Sequence, residues 1–398
     1  SELLPGVDID QNTSRVYKKS KYFAHMLGYT GSISAEKLEE LQKDGEESVY
    51  SVDDQIGISG LESTYEEYLR GTKGSKEITV DGGTSRIISE KTTKDPVAGN
   101  DLYLTIDANL QKAAYNILEQ ELAGVLLAKI QNSLDFDRNK VEDGSDVIIP
   151  IGDVYNAMIN NDVLDMTHFT DPDAGEAEKE VASAFSIRKE EVKNTLTKVL
   201  NDSKAAAYKD QPKEVQAYLT YLVSDVLTNG TGVLMSKSID TKDATYKAWK
   251  DEESINVYTY LNYAISKNWI DTTKLGENSY SSSEEIYQEI LNYLQDYLKN
   301  DSSFDKLLYE NLIKSGSVTG NQVCAILYEQ GVLPMDESAY NGLLSGSIGA
   351  FSWLTGKIQN LEITPGQLAL EPCSAGCVIT DPNTGDVLAN VSYPGYDN

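Results

Sequence analysis

The chain has 398 residues, with 63 Asp or Glu against 34 Lys or Arg, so its formal net charge at pH 7 is −29. This composition argues against binding to nucleic acid or to an anionic membrane surface, because both require clustered positive charge. No apolar run approaches the roughly 18 residues of a membrane-spanning helix. The three cysteines form no disulfide framework: Cys373 and Cys377 are predicted to stay unbridged, and Cys324 falls in a helical core.

The first recognisable element lies between Gly57 and Gly71. Ser59 and Glu62 have the spacing of a capping box, and Gly71 stands where a helix of about three turns would end. This segment therefore predicts one short docked helix.

Two strands and a turn follow. The sequence Asp81-Gly82-Gly83-Thr84 separates Lys76–Val80 from Arg86–Ser89, which predicts a β-hairpin. Residues 102–106 are predicted to form a further strand.

A long helix is predicted next, with Asp107 as its N-cap. Its apolar positions recur at helical spacing and predict a buried stripe. These positions are Leu110, Ala114, Ile117, Leu118, Val125 and Leu126.

Residues 131–365 have a helical pattern throughout and predict an all-helical insertion. Ser186, Ser282 and Asp336 are predicted N-caps, and Gly331 is a predicted helix end. The amphipathic runs are 189–200, 215–227, 286–298, 304–313 and 322–330.

The last predicted element is a β-hairpin. Cys377–Thr380 and Val387–Val391 are β-branched or apolar, and the segment Asp381–Gly385 between them has turn chemistry. A lone hairpin is only marginally stable, so it must pack against something larger. We expect Val378, Leu388 or their strand neighbours to pack on Leu110, Ile117 or Leu118, and one strand edge to remain unpaired.

Three segments together resemble a known family. Gly57–Gly71 and Leu102–Gln111 are similar to the membrane-proximal region of class B penicillin-binding proteins, which are monofunctional transpeptidases that cross-link peptidoglycan. Ala375–Pro394 resembles the opening hairpin of their transpeptidase domain. The resemblance covers residues 15–130 and 366–398 and leaves the helical insertion unexplained.

The resemblance implies an α+β fold with four parts. Residues 1–106 would be a mixed pedestal or dimerisation domain and 107–130 the first transpeptidase helix. Residues 131–365 would be the insertion and 366–398 the first two strands of a truncated transpeptidase sheet. The pedestal would hold a catalytic domain away from the membrane and contact cell-wall synthesis proteins or another copy of itself.

The resemblance also implies what this chain does. The parent would be a serine D,D-transpeptidase on the extracytoplasmic face of a bacterial membrane, held there by an amino-terminal anchor. Its catalytic residues would lie beyond Asn398, so we expect this chain to be a soluble, non-catalytic fragment. No catalytic, cofactor-binding or metal-binding residue is therefore assigned.

Three short motifs offer a rival, catalytic interpretation. Penicillin-recognising enzymes use Ser-x-x-Lys, Ser-x-Asn and Lys-Thr/Ser-Gly, and the chain contains Ser186 to Lys189, Ser254 to Asn256 and Lys314 to Gly316 in that order. The nucleophile should open a buried helix and the last triplet should lie on a strand. Here the first begins a charged, solvent-facing turn and the last ends a helix, so we favour a structural role for all three.

Metal-ligand patterns are weak. Residues 135–146 resemble a calcium loop, yet Lys140 replaces the glycine that the loop needs and the final bidentate glutamate is missing. An acidic solvated loop is the simpler interpretation. His25 and His168 have no Cys or His neighbour at ligand spacing.

A different class of function is an independent extracellular protein that binds a protein or a glycan. The chain has 25 tyrosines, a residue type enriched at interfaces, but their even spread does not locate a site.

Overall fold

The computed structural model describes residues 15–43, 50–52, 54–80, 82–83, 87–138, 141, 143–144, 147–276 and 282–396. The fold is α+β and divides into two compact units. The first unit comprises the residues up to Ala128 and those from Ile363 onward, and the second comprises Lys129–Glu362. No helix among the described residues is both long and apolar enough to cross a membrane.

The first unit is built from short helices, one long helix and three two-stranded antiparallel sheets. The sheets pair β1 with β2, β3 with β4 and β7 with β8. The elements are α1 (Ser20–Leu27), β1 (Thr30–Ser32), α2 (Ala35–Lys43), β2 (Gln55–Gly57), α3 (Gly60–Thr64), α4 (Glu66–Leu69), β3 (Ser75–Val80), β4 (Ile87–Lys94), α5 (Ala108–Lys129), α16 (Pro365–Leu368), β7 (Ala375–Thr380) and β8 (Val387–Tyr393).

The segment from Gly57 to Gly71 differs from its prediction in two ways. It forms two short helices, α3 and α4, instead of one. Ser59 occupies the N-cap position, but its side chain makes no capping bond, so the predicted capping box is wrong. Glu62 is instead buried, where it accepts hydrogen bonds from Arg15 and Tyr17, and an ion pair with Arg15 is worth more than a neutral cap.

Two glycines allow this segment to approach α1 closely. A Cβ atom at Gly28 would lie 1.8 Å from the carbonyl oxygen of Ser59, and one at Gly60 would lie 2.6 Å from the amide nitrogen of Gly28. Both glycines also have positive φ angles, of 75° and 61°. Any side chain at either position would push the two backbones apart.

The predicted hairpins form. β3 and β4 cover the expected residues, although Asp81, Thr84 and Arg86 lie outside the described part of the chain. β7 and β8 are joined by a turn in which Gly385 has a φ of 81°, as the sequence requires.

Residues 102–106 form no strand. Thr105 instead donates a side-chain hydrogen bond to the carbonyl of Val387, at the edge of β8.

The long helix α5 packs on the β7–β8 hairpin, as expected, through a face that includes Ala114 and Leu118 of the predicted stripe but not Ile117. Asp107 caps the helix by accepting from the amides of Asn109 and Leu110. Ile117 and Val378 are exposed instead of buried. The core contains Ala114, Tyr115, Leu122, Val391 and Tyr393, with Tyr22, Leu118, Ala375, Cys377 and Ile379 packed around it.

Gln111 connects α5 to the hairpin through its side-chain amide. Its Nε2 donates to the carbonyl oxygens of Asn390 at 2.9 Å and Tyr22 at 2.8 Å, and its Oε1 accepts from the amide of Asn390 at 2.8 Å. The side chain is almost fully buried. It therefore satisfies the backbone carbonyl and amide of Asn390 on the outer edge of β8, as a neighbouring strand would.

In the part of it that the structure describes, the second unit consists mainly of helices and includes one parallel pair of two-residue strands, β5 (Ile130–Gln131) and β6 (Ile149–Pro150). α8 continues directly into a π-helical segment, Tyr221–Gly230. The α-helices are α6 (Ile151–Asn160), α7 (Glu176–Asn201), α8 (Lys213–Thr220), α9 (Ala244–Lys250), α10 (Val257–Ser266), α11 (Ser283–Tyr297), α12 (Ser302–Lys314), α13 (Gly320–Glu329), α14 (Glu337–Leu344) and α15 (Ala350–Gln359).

Most of the predicted helix boundaries in this unit are confirmed. Ser282 caps α11 in a capping box with Glu285, and Asp336 caps α14. Gly331 follows α13 with a φ of 67°. Ser186 is not an N-cap, because it lies inside the 26-residue helix α7, which begins ten residues earlier.

The last helices of this unit end in turns that repeat every 15 residues. Gly316, Gly331 and Gly346 all have positive φ angles. Two residues after each glycine, Val318, Leu333 and Ile348 donate their amides to the carbonyls of Leu312, Leu327 and Gly342. The pattern is visible in the sequence as Ser315-Gly316-Ser317-Val318 and Ser345-Gly346-Ser347-Ile348, but the sequence analysis did not use it.

Replacing Gln111 with Ala should lower the free energy of unfolding by about 2–4 kcal/mol. The substitution leaves backbone groups of Asn390 and Tyr22 without partners, and each such buried group costs about 1–3 kcal/mol. Urea unfolding with hydrogen exchange at residues 387–393 measures the effect. Asn116→Ala, at an exposed position of the same helix, is the control and should change little. Equal effects of the two substitutions would contradict the role of Gln111.

Replacing Gly346 with Ala should destabilise the protein by about 1–2 kcal/mol, since an L-residue is strained in the left-handed region. A Cβ atom there meets nothing within 4 Å, so the effect isolates backbone strain. Gly356 lies inside α15 with equally open space, and Gly356→Ala should stabilise by about 0.5–1 kcal/mol. Chemical denaturation of both variants tests the pair; a stabilising Gly346→Ala would refute the interpretation of the repeated turn.

Candidate functional site

The β3–β4 hairpin is exposed along its whole length on both faces. Its register pairs Val80 with Ile87 and Ile78 with Glu90, so Ile78, Val80 and Ile87 share one face. Their exposed fractions are 50%, 53% and 41%. We call these three residues the apolar stripe. Contiguous apolar surface of this kind, rimmed by charged residues, is typical of protein–protein contact.

A cleft of about 450 Å³ lies at the foot of this hairpin, and both cationic and anionic side chains line it. Lys73 forms an ion pair with Asp54, and Arg70 donates to the hydroxyl of Tyr50 at 2.7 Å. Burial opposes ionisation of Asp54, but the hydrogen bond from Lys73 and those from Ser51 outweigh it and lower the pKa of that carboxyl. The Lys73–Asp54 ion pair and the Arg70–Tyr50 hydrogen bond therefore brace the segment at the foot of the hairpin.

Ser186 and Lys189 each bond to a partner outside their own motif. Ser186 Oγ donates to the carbonyl of Ala182, one turn earlier in α7, at 2.9 Å. Lys189 Nζ lies 2.6 Å from a carboxylate oxygen of Asp305. Both side chains thus serve the packing of α7, and the lysine ammonium is held by a carboxylate.

Residues of the other two motifs also make structural contacts. Ser254 Oγ donates to the carbonyl of Ala248 at 3.3 Å, and Asn256 is the N-cap of α10, accepting from the amide of Thr259. Lys314 ends α12 and contacts Glu310 at 2.6 Å. No strand carries the Lys-Ser-Gly triplet, since the described residues around it form a helix end and a turn.

The acidic loop that resembles a calcium site is only partly described, because Asn139, Lys140 and Asp146 lie outside the described residues. Asp135 lies 3.7 Å from Lys314, so part of its charge is already compensated.

The two histidines differ in their surroundings. His25 Nε2 is 2.8 Å from the carbonyl of Pro394. His168 lies beside Asp171, Asp173 and Glu178, carboxylates that the sequence analysis overlooked because it looked only for Cys and His neighbours. The spacing His-x-x-Asp-x-Asp was the available signal.

The three cysteines are free thiols. Cys324 is fully buried in α13, as predicted, and burial raises the pKa of its thiol well above the usual range.

Residues 1–104 match the penicillin-binding protein dimerisation domain family. Peptidoglycan D,D-transpeptidase MrdA of Acinetobacter baumannii is 39% identical over 120 residues, which are 30% of this chain and 16% of the relative. Penicillin-binding protein 3 of Bacillus subtilis is 41% identical over 118 residues, again 30% of this chain and 16% of the relative. The Escherichia coli MrdA protein is 32% identical over 123 residues, 31% of this chain and 19% of the relative.

Residues 1–104 are thus similar to the dimerisation domain of penicillin-binding proteins, in agreement with the resemblance that the sequence carries. The chain spans under a fifth of the length of the relatives that it matches. The apolar stripe lies inside the dimerisation domain, whereas the helical second unit lies outside the family match.

Proposed function

We propose that this chain is the non-catalytic pedestal and interaction part of a penicillin-binding protein that cross-links peptidoglycan stem peptides on the extracytoplasmic face of a bacterial membrane. The observation that carries the proposal is the exposed apolar stripe within residues that match a dimerisation domain. A surface of this kind is costly to leave in water, and pairing with a second copy would cover it. We also propose that the chain contacts other cell-wall synthesis proteins through the same surface.

The division into four parts belongs to the same proposal. Residues 1–106 act as the pedestal, and residues 107–130 with 366–398 act as the first helix and the first two strands of a transpeptidase domain. Residues 131–365 are an inserted helical domain. The packing of α5 on the β7–β8 hairpin supports this division, because more than 240 residues separate two elements that share one core.

We further propose that none of these 398 residues accepts an acyl group from a substrate or a β-lactam. The support is local: Ser186 is bonded to its own helix, Lys189 is paired with Asp305, and Lys314 is paired with Glu310. A serine nucleophile needs a base within hydrogen-bonding reach and donors for the oxyanion. The three motifs supply neither.

Self-association should depend on the apolar stripe. We expect the chain to dimerise with rising concentration in sedimentation velocity, and Ile78→Glu to weaken the dimer at least tenfold, because a buried unpaired charge costs more than about 1.4 kcal/mol. Val378→Glu is the matched control, an exposed apolar residue on the other hairpin and outside residues 1–104. A monomer at all concentrations, or equal effects of both substitutions, would refute this surface as the dimer contact.

Incubation with a labelled β-lactam should leave the chain unmodified. Intact-mass spectrometry checks this, with a transpeptidase of known reactivity as the positive control. The informative contrary result is an adduct of one penicilloyl group that disappears in Ser186→Ala, which would establish the rival catalytic motifs. An adduct that survives this substitution would place an acyl-accepting residue elsewhere and would equally overturn the non-catalytic proposal.

A further inference from the structure

His168 and two aspartates converge at the start of α7. The short 3₁₀ turn His168–Thr170 leads into Asp171-Pro172-Asp173, and the amide of Asp171 bonds to the carbonyl of His168. One ligand atom from each of His168, Asp171 and Asp173 lies within 4.8 Å of the other two. His168 Nε2 and Asp173 Oδ1 are 3.9 Å apart.

Exposed acidic clusters are common on protein surfaces. What distinguishes this one is Glu178, which contacts the imidazole of His168 from the buried side. Its side chain is fully buried, and its Oε1 lies 2.8 Å from His168 Nδ1. Glu178 is itself fixed by the amide of Gly175 at 2.7 Å and by Gln330 Nε2 at 2.7 Å. A carboxylate on Nδ1 selects the tautomer with its proton there, which leaves the Nε2 lone pair on the side of Asp173.

We propose that His168 Nε2 and the carboxylates of Asp171 and Asp173 bind one divalent transition-metal ion, with Glu178 orienting the imidazole. One nitrogen and two carboxylate oxygens form a donor set suited to Zn²⁺ or Mn²⁺, whereas Ca²⁺ and Mg²⁺ prefer oxygen donors alone. Three protein ligands leave coordination positions for water.

The ligands need little movement to reach coordination geometry. Atoms bound to one Zn²⁺ at roughly 2.0–2.2 Å lie about 3–3.5 Å from each other. The separation of His168 Nε2 and Asp173 Oδ1 exceeds this by less than about an ångström, and Asp173 is on an exposed side chain that can move without disturbing the core. The histidine is the fixed ligand, because Glu178 holds it from the buried side.

Local charge also favours a cation. The positive end of α7 opposes one, but Glu329 accepts from the amides of Ala177 and Glu178 and so neutralises that end. The carboxylates of Asp171, Asp173 and Glu178 lie beside the imidazole and supply negative charge that favours a cation.

The scaffold beneath the cluster is rigid. A Cβ atom at Gly175 would lie 2.1 Å from the carboxyl carbon of Glu329, so only glycine allows that glutamate to reach the helix end. Phe169 and Ala174, on either side of the aspartates, are buried and anchor the loop.

Zn²⁺ titration of the chelator-treated full chain, with a chromophoric chelator as competitor, tests the site. We expect one saturable site that is lost in the double variant Asp171→Asn with Asp173→Asn, whose exposed positions should not affect folding. Glu178→Gln should weaken Zn²⁺ binding by about 10–100-fold, the usual effect of removing the group that orients a metal-bound histidine. Circular dichroism confirms that each variant is folded.

Imidazole NMR gives a second readout, because the chain has only two histidines. Zn²⁺ should shift the Nε2 signal of His168, and Mn²⁺ should broaden it, while His25 stays unchanged; His25→Ala should bind Zn²⁺ normally. The proposal is wrong if the double variant binds Zn²⁺ as tightly as the parent chain, if the His168 signals do not respond, or if millimolar Ca²⁺ displaces Zn²⁺.

Discussion

The first unit depends on the side-chain amide of Gln111, which completes the outer edge of β8. A two-stranded hairpin has two open edges, and an isolated one is marginal in water. Gln111 offers one donor and one acceptor to Asn390, which is the pairing that a third strand would provide, and it also donates to the carbonyl of Tyr22 in α1. Since α5 carries this amide, one side chain bonds the helix to both the hairpin and α1, in addition to the apolar core that they share.

The second unit uses its acidity to begin its helices. Asp243, Asp301 and Asp336 accept amide hydrogen bonds at the N-termini of α9, α12 and α14, and Glu329 does the same for α7 from another helix. Carboxylates at these positions are stabilised by the helix dipole and satisfy amides that have no partner within the helix. The strongly negative charge is therefore partly a structural device, and it does not by itself indicate a ligand.

The short motifs show why spacing alone misleads in such a chain. Ser186, Lys189 and Lys314 match an enzyme pattern, yet each is explained by the helix on which it lies. The His168 cluster is the opposite case, because its spacing was overlooked and only the buried Glu178 distinguishes it from an ordinary acidic loop. In both cases the environment of the side chain, and not its place in a motif, decided its role.

The sequence alone determined much of the local structure and the resemblance to penicillin-binding proteins. Turn residues such as Gly385, caps such as Asp107 and Ser282, and helical periodicity act over a few neighbouring residues, so their outcome is readable directly. Tertiary structure decided the rest: which face of α5 is buried, why Glu62 pairs with Arg15 instead of capping a helix, and why residues 102–106 line a strand edge without becoming a strand. These outcomes depend on partners up to 282 positions away along the chain, and no local pattern encodes the competition between such partners.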